Sequence, residues 1–148
     1  MRSMKPQIVS QKKQVQINLN LSKSLNKRLE KCKEDNVFYG VFPIKGNSME
    51  CEDINKCIPD GSKVLAIDTQ LKLSSGLHNI WHEVPRDKPL LIIGETSSGS
   101  RFFICKTIAS IDAVQGVVKL KSYNNDHAEK WIPFSWISNI FEVVQIID

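Results

Sequence analysis

The sequence predicts a mainly β protein with one short helix near its N-terminus. Three observations carry that class. Short apolar runs rich in β-branched and aromatic residues recur between clusters of turn formers, the usual signature of strands. The stretch Gln14-Val15-Gln16-Ile17-Asn18-Leu19-Asn20-Leu21 alternates strictly between apolar and polar residues, as a half-buried strand does. Finally, Leu25, Leu29 and Cys32 follow Ser22 at helical spacing, and serine is a good helix N-cap.

Taken in order, residues 1–13 are polar, followed by the alternating strand and a helix from Ser22 to about Cys32. Val37 to Lys45 reads as a strand and Ser62 to Asp68 as the next, with Gly46-Asn47-Ser48-Met49 and Ile58-Pro59-Asp60-Gly61 between them. Residues 69–89 show little periodicity and read as an excursion or lid, with a short helical turn at Leu77 to Trp81. Further strands are expected at Pro89 to Gly94, Arg101 to Ile108, Val117 to Ser122, Trp131 to Phe134 and Ile140 to Ile147. The turn clusters 95–100 and 123–126 separate some of them. The organisation expected is a basic arm, strand and helix over 1–36 and a β domain over 37–148 with an insertion at about 69–89.

Composition narrows the class of function. The chain has 148 residues, 41% of them hydrophobic and 24% charged, enough for one domain with a core. No apolar run is long enough for a bilayer and no signal peptide is visible, so a cytoplasmic protein without membrane contact is expected. The net charge of +4 is unevenly spread: residues 1–35 hold nine basic and three acidic side chains. No helix-turn-helix pattern fits that region, so DNA contact is expected only through an absent or separate DNA-binding domain. The four cysteines lack short paired spacing, and a reducing compartment keeps them as thiols. A zinc reading on Cys51, Cys57, His78 and His82 is the weaker one, because structural zinc sites show tighter cysteine pairs. No metal and no cofactor are expected.

The chemistry-bearing motif is the serine turn. Ser48 sits beside a glycine between two strands, where its hydroxyl is presented outward, and Pro59-Asp60-Gly61 is turn chemistry. Gly46-Asn47-Ser48-Met49, Ile58-Pro59-Asp60-Gly61 and Val64-Leu65-Ala66-Ile67-Asp68 together resemble the Ser-Lys peptidase family of the LexA repressor, the UmuD protein and phage repressors. Lys119-Leu120-Lys121-Ser122-Tyr123-Asn124 and the closing strand extend the likeness from Val37 to Asp148. The resemblance implies coiled antiparallel β-sheets of the LexA C-terminal and signal-peptidase type, a serine nucleophile with a lysine base, a homodimer joined through the C-terminal sheet and a RecA-type activator.

Strand parity selects the lysine. Phe102, Ile104, Lys106 and Ile108 share one side of their strand, which places Lys106 among three large apolar groups. Lys119 and Lys121 alternate with Val118 and Leu120 and fall on the opposite face. Lys63, Lys72 and Lys88 lie at strand starts or in polar loops. A free lysine is protonated at neutral pH, and burial lowers its pKa toward the range of a working base. The resemblance assigns the base to the same strand. Ser48 is then the nucleophile and Lys106 its general base, with Asn47 and Met49 supporting the turn and its backbone N–H groups stabilising the oxyanion.

The usual self-cleavage bond of the family, Ala-Gly or Cys-Gly, does not occur before Ser48. Two readings follow: a self-processing type of peptidase domain from a repressor or stress-response protein, and a non-catalytic dimerisation or binding module of a phage-type repressor that keeps the fold.

Overall fold

A computed structural model describes residues 22–46, 49, 58–71, 78–124 and 126–147, with the backbone alone at His78 and Asn79. The alternating segment 14–21 lies outside the described residues, as do Asn47, Ser48, Cys51 and Cys57. Helix α1 spans Lys23–Glu34. The Ser22 hydroxyl accepts from the Leu25 amide at 3.2 Å, satisfying one of the free N–H groups of the first turn. Lys31 and Lys33 in the last turn face the negative end of the helix dipole. The helix runs two residues past Cys32 and stops before Asn36, which adopts a positive φ of 56°.

Among the described residues seven strands follow: β1 Tyr39–Pro43, β2 Lys63–Asp68, β3 Leu90–Glu95, β4 Arg101–Asp112, β5 Val117–Lys121, β6 Lys130–Pro133 and β7 Ile137–Ile147. All pairings are antiparallel, in the order β1-β2-β7-β3-β4-β5-β6. The molecule is therefore mainly antiparallel β-sheet with one α-helix among the described residues. Strand β4 belongs to two sheets. Its first half pairs with β3 as far as Leu90↔Lys106, and its second half pairs with β5 starting at Thr107↔Lys121. Lys106 thus stands where one sheet hands over to the other.

Alternation along the strands separates three apolar clusters. Leu29 and Cys32 of α1 pack with Tyr39, Val41, Leu65 and Ile67, so the helix shares a core with the first two strands. On the same side of the sheet, Leu90, Ile92 and Ile108 join Trp81, Val84 and Phe134. On the opposite side, Phe42, Val64, Leu91, Cys105 and Phe141 pack with Met49 and Ile58.

Within 69–89, residues 72–77 lie outside the described residues. His78–Glu83 forms a 3-10 helix that lowers Trp81 into the core, where it is 1% exposed and stacks on Phe134 at 4.7 Å. A single large side chain inserted from an irregular turn leaves no periodic trace, so the sequence signals only an excursion. No helix among the described residues is long and apolar enough to cross a membrane.

Candidate active site

The neck of the serine loop is built from the two halves of its motif. β1 and β2 pair through Pro43↔Lys63, and beyond that pair the Ile44 amide donates to the Ser62 carbonyl at 2.8 Å while the Gly61 amide donates to the Ile44 carbonyl at 2.9 Å. Gly46 has a φ of 91° and Gly61 a φ of 87°, conformations that glycine adopts without strain. The Gly46 amide donates to the Asp60 carboxylate at 2.8 Å. Further round the loop, the Ile58 amide donates to the Met49 carbonyl at 2.9 Å. Gly46 is thus tied to Asp60 and Met49 to Ile58 by hydrogen bonds. Met49 is fully buried and Ile58 is 1% exposed, so both shoulders of the loop are anchored in the core.

Lys106 is half-buried and donates from Nζ to the Ser122 hydroxyl at 2.6 Å. Phe102, Ile104 and Ile108 belong to the cluster on its side of β4, as strand parity requires. Lys119 and Lys121 fall outside the core, Lys119 pairing with Glu129 at 3.3 Å. Burial pushes the Lys106 ammonium below the usual lysine value, with Lys130 adding to the fall and Cys105 opposing it. A more easily deprotonated amine is what a general base at near-neutral pH requires. The adjacent Cys105 thiol is the opposite case: burial pushes it up to about 12, so it stays protonated and is no nucleophile.

Two features of this arrangement differ from the sequence expectation. Lys106 is not shut among apolar groups alone, because Ser122, itself 3% exposed, supplies a polar partner. The signal for it is the short β4–β5 connection: Thr107 pairs with Lys121, so the next pair outward brings residue 106 opposite residue 122. The second difference concerns faces. Met49 and Ile58 pack on the side of the sheet that holds Cys105, whereas alternation directs the Lys106 Cβ to the side of Ile104 and Leu90.

His82 is exposed and lies on a 3-10 helix. Cys51, Cys57 and the side chain of His78 lie outside the described residues. Among the described residues no group of three or more potential metal ligands occurs.

No family model, curated protein or solved structure matches this chain.

Proposed function

We propose that the chain is a Ser-Lys peptidase domain of the LexA and UmuD type, acting in a repressor or stress-response setting, with Ser48 as nucleophile and Lys106 as general base. The observation that carries this reading is the bond from the Gly46 amide to the Asp60 carboxylate. It ties Gly46 to the Pro-Asp-Gly turn, which supports reading the two separated stretches as one motif.

In this reading Lys106, neutral when it acts, takes the Ser48 proton as the alkoxide attacks a peptide carbonyl. Backbone N–H groups at the turn receive the developing oxyanion, an interaction worth about 2.7–4 kcal/mol per donor in well-studied hydrolases. The lysine then gives its proton to the leaving amine. Ser122 is a positioning residue: its oxygen accepts one N–H of Lys106 and fixes the direction of the lone pair. At 3% exposure it is a poorer candidate for the nucleophile than a serine on a turn. A homodimer and a RecA-type activator follow from the same family resemblance and stand or fall with it.

The test is covalent labelling with a fluorophosphonate probe and peptide mapping. Label on Ser48 that disappears in Lys106→Ala and weakens in Ser122→Ala supports the reading. Label that persists in Lys106→Ala, or a purified protein that neither labels nor changes mass under alkaline conditions or with activated RecA filament, overturns it. The second reading, a non-catalytic association module, would then be left.

A further inference from the structure

Beyond the start of β3, strands β4 and β7 run on without a common neighbour. β3 pairs with β7 and β4 only from Leu90 onward. Pro89, which has no N–H to offer, ends the ladder with its carbonyl accepting from the Val143 amide at 3.2 Å. β7 continues to Ile147 with β2 on its other side, and β4 continues to Asp112 with β5 on its other side. Between them lies a groove of about 1020 Å³, lined by residues 107–109 of β4 and 143–146 of β7. Successive side chains on a strand point to opposite faces, so a groove walled by consecutive residues is bounded by strand edges. Among the described residues, no strand pairs on this side with β4 beyond Lys106 or with β7 beyond Glu142, and past the Val143–Pro89 bond no further backbone bond joins the two edges here. Unpaired edges of this kind are templates for one more strand.

We propose that the occupant of this slot is the chain's own segment Gln14 to Leu21. The segment has the composition of a strand: Val15, Ile17, Leu19 and Leu21 alternate with Gln and Asn, and it carries no charge. It also arrives at the right place. Ser22, to which it is joined, lines a smaller groove together with Leu25, Arg28 and residues 143–145 of β7, the same stretch that walls the slot. Eight residues extended at about 3.3 Å each span about 26 Å, more than the roughly 16 Å of free β7 edge. The inference stands on the sheet edges and does not depend on Ser48 or Lys106 being catalytic.

Hydrogen–deuterium exchange on the full chain tests it, alongside an Ile17→Pro/Leu19→Pro variant in which the segment cannot form a ladder. The slot-facing amides of residues 107–110 and 144–147 are expected to exchange at least about tenfold more slowly in the unaltered chain than in the variant. Unchanged protection of the β1–β2 amides shows that the variant folds. Fast exchange at both edges in the unaltered chain, or equally slow exchange in both proteins, overturns the proposal. Protection that grows with protein concentration also overturns it, because a second copy would then be the occupant.

Discussion

Glu142 offers the sharpest energetic test of how this fold is held together. Its carboxylate, 11% exposed, receives Arg28 of α1 in a bidentate pair at 2.6 and 3.2 Å and Lys88 at 3.1 Å. The cations are different: Arg28 is 46% and Lys88 55% exposed. Burial alone would push the Glu142 carboxyl up, but the hydrogen bonds and charges of Arg28 and Lys88 outweigh it and hold it below the usual range. This asymmetry sets the order of mutational costs. Arg28→Met with Lys88→Met leaves a buried carboxylate alone, a loss of about 3–5 kcal/mol. Glu142→Gln releases two cations that water already half reaches, so about 1–2 kcal/mol is expected. Adding Glu142→Leu to the cation-free variant should recover most of its loss, since well-packed apolar replacements of buried ion clusters are near neutral. Urea denaturation at pH 7, with the slope m checked for constancy, measures all three. The pH dependence follows from the sign of the shift. The contribution of Glu142 is present above the unfolded carboxyl pKa of about 4.3 and disappears as pH falls through the lower folded value. The deficit of the cation-free variant should therefore shrink in acid. A Glu142→Gln variant as unstable as the double cation variant would refute the reasoning, and so would a deficit independent of pH.

Three other outcomes are expected. If Lys106 is the base, labelling of Ser48 should rise with pH through an inflection below the ordinary lysine value, because burial favours the neutral amine; a profile flat from pH 6 to 10 removes Lys106 from the role. Trp81→Ala should cost about 3–5 kcal/mol in chemical denaturation, the range for emptying a buried aromatic site, whereas a decorative insertion would cost under about 0.5 kcal/mol. Gly94→Ala should destabilise by about 1–3 kcal/mol, since a Cβ there runs into the Trp136 carbonyl oxygen and the Phe102 ring; a melting temperature equal to that of the unaltered chain would mean that the neighbouring backbone yields freely.

How far the sequence reveals the molecule depends on the range over which each signal acts. Helix α1 and the strands are legible because burial writes local patterns into neighbouring residues: a period of 3.6 in Leu25, Leu29 and Cys32 of the helix, and a continuous apolar run in Val64 to Ile67, a strand buried on both faces. The serine turn is legible for a similar reason: Gly46 and Gly61 sit at positive φ, which few other residues tolerate. Trp81, Glu142 and Ser122 are not legible in that way. Each is placed by partners distant in sequence: Phe134 for Trp81, Arg28 and Lys88 for Glu142, Lys106 for Ser122. The lysine shows where the two kinds of signal part. Parity correctly groups Lys106 with Phe102, Ile104 and Ile108, but parity says nothing about which side of the sheet Met49 and Ile58 occupy. Those two residues pack with Cys105. Lys106, on the other face, is the last β4 residue paired with β3 before the strand passes to β5.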